Sequence, residues 1–226
     1  MQSLPKAPSS RIFAAFIVML LASGNLFAHT INYQLEQAPT GDVILFYLKL
    51  GFEHIVPNGF DHILFVVGLC LLSTKIKTIL WQATAFTVAH SITLALSMKG
   101  LIVTPPALVE PIIALSIVFV AVENILLTEL KPWRVLVVFL FGLIHGMGFA
   151  SSLNEIGLPR NKFFTSIVSF NVGVELGQIV VIVSVFVLII FAFGKKPWYR
   201  KFVVYPLSAV IAIIAVWWTV ERLFFS

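Results

Sequence analysis

The sequence predicts an all-α membrane protein, a polytopic transmembrane helical bundle of about six spans behind an N-terminal signal peptide. Three observations carry this. Of the 226 residues 59% are hydrophobic and only 11% are charged, whereas a soluble domain carries about 25% charged residues. The mean hydropathy is +1.02. Apolar runs of spanning length recur along the chain. A spanning helix needs roughly 20 mostly apolar residues, which leaves short loops and no room for a separate soluble domain.

The net charge of +5 does not point to nucleic acid. Lys and Arg stand singly or in small groups between apolar runs, and no polar face exists to form a basic groove. They read as flanking charges that fix topology. Cys70 is the only cysteine. A disulfide within the chain and a thiolate metal cluster are therefore excluded.

Residues 1–28 read as the signal peptide. Lys6 and Arg11 precede the apolar stretch from Ile12 to Leu21, and small residues lead to Ala28. This is the charged, apolar and small-residue order of a secretory signal. An uncleaved signal anchor is the alternative. Cleavage would leave His29 at a periplasmic N-terminus, where its amine and imidazole can bind metal.

Residues 29–59 read as a periplasmic segment. His29 to Asp42 is polar. Val43 to Val56 is apolar but too short to span, and Lys49, Glu53 and His54 interrupt it. It reads as an interfacial or re-entrant helix. Pro57-Asn58-Gly59 is a turn signal.

Residues 60–226 form the six-span domain. The first span, Phe60 to Leu72, is short, so the preceding helix can dip into the membrane with it. The others are Thr78 to Met98, Ala107 to Leu127, Trp133 to Leu153, Phe163 to Phe193 and Phe202 to Phe225. With the mature N-terminus outside, Lys75, Lys77, Lys131, Arg134, Lys195, Lys196, Arg200 and Lys201 face the cytoplasm. Lys49, Lys99, Arg160, Lys162 and Arg222 face the periplasm. The richer side stays inside, and the expected location is the inner membrane of a bacterium with the mature N-terminus periplasmic. A faint repeat pairs His90-Ser91 with His145-Gly146, and Val109-Glu110 with Val174-Glu175. Repeats of this kind are common in transporters.

An ionisable group inside a membrane is costly and reads as functional by default. Here these are Asp61, His62, His90, Glu110, Glu123, His145 and Glu175. His90 lies eight residues from Met98, and His145 eight from Leu153. Each is thus about 12 Å from the outer surface. Asn171 enters to a similar depth, with Glu175 one turn deeper on the same face. Asp61 and His62 enter near the outer end of the first span. Imidazole and carboxylate together suit a divalent transition metal, so His62, His90, His145 and Glu175 form the candidate coordination sphere. Asp61 orients a histidine or receives the cation, and the turn at Pro57 brings His54 towards it as an entrance ligand. The bland alternative for each histidine is an interhelical hydrogen bond.

The supporting residues are weaker. Glu110 sits near the interface. Glu123-Asn124 lies towards the cytoplasm, as an exit site or a packing pair. Ser91 and Gln178 read as packing and hydrogen-bonding residues. Gly142, Gly146 and Gly148 allow close helix approach.

At these residues the chain resembles the HupE/UreJ family of membrane proteins. The matching segments are GFEHIVPNGFDHILF at 51–65, FTVAHSITLAL at 86–96, VEPIIALSIVFVAVEN at 109–124, FGLIHGMGFA at 141–150 and FNVGVELGQ at 170–178. The family's histidine and Asp-His element falls on His54, Asp61 and His62, and its second histidine motif on His145 and Gly146. Members are regarded as nickel or cobalt permeases that supply hydrogenase or urease. Six residues separate His54 from Asp61 here, one more than in the hydrogenase-linked members, which implies a sister branch and leaves the metal open.

The resulting expectation is a permease for a divalent metal ion (nickel, cobalt or zinc) bound as substrate, with membrane lipids as surroundings and a homo-oligomer left open. The rival is an intramembrane zinc-dependent hydrolase of a lipid or amide, in which Asp61 or Glu175 is the general base.

Overall fold

The computed structural model describes residues 33–225. The expected signal peptide and His29 lie outside the described residues. A short helix α1 (Tyr33–Gln37) leads into α2 (Thr40–Ile55) and α3 (Phe60–Leu71). Then come α4 (Ile76–Met98), α5 (Pro106–Leu126) and α6 (Arg134–Ile156). Helix α7 (Phe163–Val185) continues through a π-helical stretch, Phe186–Ile190, to Phe193. A second π-helical stretch, Arg200–Val204, opens the last helix α8 (Tyr205–Phe224). The fold is all-helical among the described residues, as the composition predicts.

Five helices are long and apolar enough to cross a membrane, and α2 and α3 form a bent pair that passes the same test together. The break is a 68° bend at Val56–Gly59, where the Val56–Pro57 peptide is cis. The bend leaves few loose ends. Val56, Asn58 and Gly59 donate their N–H groups to the carbonyls of Phe52, Glu53 and Ile55. The short dipping helix and short span of the sequence reading correspond to this bent pair, a broken span or a re-entrant loop. Its consequence is chemical: it brings the end of α2, carrying His54, against the start of α3, carrying Asp61 and His62.

The bundle is assembled from three intimate helix pairs: α2 with α7, α4 with α6, and α5 with α8. Small residues make the first two. A Cβ on Gly173 would strike the Leu48 carbonyl of α2, and one on Gly51 the Phe170 carbonyl of α7. Backbone contact of this kind is how helices associate in lipid, where apolar burial gives no drive. At one end of the bundle the Tyr47 hydroxyl donates to the Gly157 carbonyl at 2.6 Å, tying α2 to the end of α6. Lys162 donates to the carbonyls of Glu36 and Ala38, both at 2.9 Å, fixing α1 to the start of α7. Helix α3 sits among α4, α5, α7 and α8, so its first turn opens into the middle of the bundle.

The proposed repeat pairs the helices unevenly. Helices α4 and α6 do pack side by side and parallel, with Gly142 against Phe86 and Gly146 against His90. Helices α5 and α7 take different partners, α8 and α2.

Candidate metal centre

Three helices bring three imidazoles together. His54 ends α2, His62 stands in the first turn of α3, and His90 lies eight residues from the end of α4. Each offers a ring nitrogen, and these nitrogens lie within 4.8 Å of one another. His145 of α6 adjoins them, with its Nδ1 3.4 Å from His62 Nε2. A tetrahedral ion bound at about 2.1 Å separates its ligand nitrogens by about 3.4 Å. The His62–His145 pair already has that separation, and the other rings need move only about 1 Å or so to match it.

The surroundings set which nitrogen of each ring points inward. Asp61 Oδ1 accepts from the His62 backbone N–H at 3.1 Å and faces its Nδ1 at 3.4 Å. A carboxylate only accepts, so the Nδ1 proton is held there and Nε2 keeps its lone pair. Asn171 donates its amide to the Ile167 carbonyl at 2.8 Å, which turns Oδ1 towards His90 Nδ1 at 3.3 Å. His90 Nε2 is left buried without a partner. Ser116 donates to the Ile113 carbonyl at 2.6 Å, so its oxygen accepts from His145 Nε2 at 3.1 Å. The His145 lone pair is then on Nδ1, facing His62. His54 Nε2 is also buried and unpartnered. The network therefore turns the lone pairs of His62 and His90 towards the volume that His54 shares with them, with the His145 lone pair aimed at His62. Unpartnered buried nitrogens call for an explanation; a bound cation would be one.

Aromatic rings wall this volume. His54 lies on Phe149 with 3.9 Å between ring centroids, and Phe149 stacks on Phe170 at 5.0 Å. Phe86 contacts His62, His90 and His145, and Phe65 contacts His145. His90 and His145 are almost wholly buried, at 0% and 1% exposure. Gly146 makes the closeness possible, since a Cβ there would strike the His90 carbonyl and Thr93 Oγ1.

The mouth of the site is charged. Asp61 Oδ2 faces Arg222 of α8 at 3.5 Å, and Arg222 also donates to the Glu110 carbonyl at 3.1 Å. Glu110 thus meets this mouth through its backbone.

Other residues singled out in the sequence lie elsewhere. Glu175 is outside the histidine cluster: its Oε1 accepts from Thr84 at 2.7 Å. Thr84 lies six residues from His90 along α4, about 9 Å deeper. Asn171 and Glu175 share a face, as expected, but one turn is enough to carry the carboxylate past the rings. His54 is a member of the cluster itself rather than a ligand at its entrance. Ser91 donates back to the Thr87 carbonyl of its own helix at 2.6 Å, and Gln178 accepts from Thr87 across the α4–α7 contact at 3.3 Å. Glu123 pairs with buried Arg134 at 3.0 Å. Asn124 accepts from Arg134 and donates to the Gly68 carbonyl. That is a packing network with a fixed cation in it, unlike an exit for metal. Sequence reading missed Ser116, Arg222 and the four phenylalanines. Phe86 had a signal, one helical turn before His90.

A family model described as HupE / UreJ protein matches residues 30–222. The chain belongs to the HupE/UreJ family. No curated protein and no solved structure gives a significant match. Membership links the chain to nickel and cobalt transport, and a buried histidine cluster inside the bundle is compatible with that link. The matched stretch spans every residue of the cluster, from His54 to Asn171, as well as Arg222 at its mouth.

Proposed function

We propose that this HupE/UreJ protein is a permease for a divalent transition-metal ion of the nickel and cobalt type. The observation that carries the reading is the convergence of His54, His62 and His90 inside a membrane bundle, with tautomers set by Asp61 and Asn171. Imidazoles select nickel, cobalt, zinc or iron over magnesium and calcium, which prefer oxygen. The loop charges orient the α2–α3 bend towards the periplasm. Asp61 gathers the hydrated ion at the mouth, the imidazoles replace its water, and His145 supports the exchange through His62. A divalent ion moving inward gains about 4.6 kcal/mol per 100 mV of membrane potential, twice the figure for one charge.

Purified protein in liposomes tests this. Uptake of nickel, cobalt, zinc or iron that His90→Ala abolishes is the expected result. No uptake of any of the four overturns it.

An intramembrane zinc hydrolase is the second reading, and one observation favours it. A cavity of about 440 Å³ lies between the outer ends of α4, α5 and α6, lined by Ile102, Val109, Met147 and Gly148. Its lining is mostly apolar but includes Ser97, Thr104, Ser151 and Asn154, and Gly148 stands about one turn from His145 on α6. Tight retention of stoichiometric zinc through purification is expected for the hydrolase, and exchangeable metal for the permease.

A further inference from the structure

Below the histidines, the region where α3, α4, α5 and α6 meet is filled by Phe65, Leu69, Phe86, Ile117, Val120 and Val138, all buried in one apolar cluster. The seam between α4 and α7 is different. On α4, Thr84, Thr87 and His90 recur every third residue. On α7, Asn171, Glu175 and Gln178 recur at intervals of four and three. These spacings put each set on one helix face. The two sets face each other and join: His90 to Asn171 at 3.3 Å, Thr87 to Gln178 at 3.3 Å and Thr84 to Glu175 at 2.7 Å.

The seam also carries unmet polar atoms. Gln178 is 0% exposed, its Oε1 is taken by Thr87, and its Nε2 has no partner. Glu175 Oε2 is buried and likewise has none. Gln178 lies one turn from Glu175 on α7. Buried amides and carboxylates are otherwise satisfied by protein, water or an ion, and an intramembrane carboxylate marks an ion pathway.

We infer that the α4–α7 seam holds a second, inner station for the cation, built on Glu175 with Gln178, Thr84 and Thr87. This rests on the permease reading. The ligand is a hydrated divalent cation. The donors are oxygens, which hold nickel, cobalt or zinc more loosely than imidazole does. That gradient is useful, because conduction requires a site weak enough to leave. The carboxylate supplies the charge, and the hydroxyls and amide hold the ion's water.

The test uses full-length protein, with cobalt as the probe, in detergent and in liposomes. Glu175→Gln and Gln178→Leu are expected to keep cobalt affinity and stoichiometry at the histidines, while initial uptake falls at least about tenfold. Wild-type uptake in both variants overturns the station. So does loss of bound cobalt in step with uptake, which would make Glu175 a ligand of the histidine centre. A labelling arm is independent of transport. Thr87→Cys in a Cys70→Ala background is expected to react with a membrane-impermeant thiol reagent from the cytoplasmic side, more slowly with cobalt present. An unreactive Thr87→Cys in folded protein overturns the station. If wild-type protein moves no metal, the permease reading fails while the labelling still decides whether the seam is wet.

Discussion

His62 Nε2 and His145 Nδ1 meet at 3.4 Å from α3 and α6, and each ring's other nitrogen is already engaged, by Asp61 and by Ser116. Two lone pairs pointed at each other repel. A cation held between them would turn that repulsion into ligation. Nitrogen donors rather than net charge would then recognise the ion, with Asp61 the acid in contact with His62.

The ligands come first. Alanine at His62 or His90 is expected to lower cobalt or nickel affinity by more than about 100-fold, beyond the cost of losing an outer partner. His145→Ala is expected to cost less, because His145 adjoins the triad through His62. Isothermal titration on purified protein measures this. Equal affinities in wild type and in His62→Ala would place the metal elsewhere.

The orienting residues supply no ligand to the histidine cluster and should still matter. Asn171→Leu and Ser116→Ala each free a ring to flip or change tautomer. Each is expected to reduce affinity about 10- to 100-fold with the fold intact. Asp61→Asn belongs with them, since an amide presents a donor as readily as an acceptor to His62 Nδ1. A thermal shift on adding metal reads the result, because ligand binding raises apparent stability by an amount that grows with ligand concentration over Kd. An unchanged shift in all three variants would remove the tautomer network from the account.

The sequence exposed the helices and most of the site for one reason: in an apolar chain each polar residue is conspicuous. Hydropathy placed α4 to α7 within a few residues of their observed limits, and depth counting matched His90 with Asn171 across the bundle. What it could not supply was direction around a helix axis and the angle at a break. Glu175 was assigned to the centre because it shares a face with Asn171, but the antiparallel register of α4 and α7 sets it opposite Thr84. His54 was assigned to the entrance because nothing in Pro57-Asn58-Gly59 specifies a 68° bend. Ser116 and the phenylalanine walls looked like ordinary membrane sequence.

The opposite end of the bundle is held by a buried ion pair. Arg134 and Glu123 meet at 3.0 Å with 1% and 4% side-chain exposure. Arg134 also donates to Asn124, and Arg200 donates to the carbonyls of Asn124 and Leu127. Removing one partner strands a buried charge. Arg134→Leu is therefore expected to destabilise by about 3–5 kcal/mol, and Arg134→Leu with Glu123→Leu to recover much of it. Reversible denaturation in detergent measures both. A double variant no better than the single would show that the pair itself stabilises the fold.

Gly146 separates positioning from ligation. It carries no donor, yet a Cβ there would strike the His90 carbonyl and Thr93 Oγ1, and one on Gly142 the Phe86 carbonyl. Helices α4 and α6 must part to admit it, and they carry His90 and His145. Gly146→Ala is expected to destabilise by about 1–3 kcal/mol, the usual cost of overpacking, and to weaken metal binding by shifting one ring against the other. Gly41→Ala is the matched control, because a Cβ there meets nothing within 4 Å. It sits in α2, where alanine is the better helix former, and is expected to be neutral or stabilising by up to about 1 kcal/mol. Equal behaviour of the two variants in unfolding and in metal titration would mean that the close approach of α4 and α6 does not position the histidines.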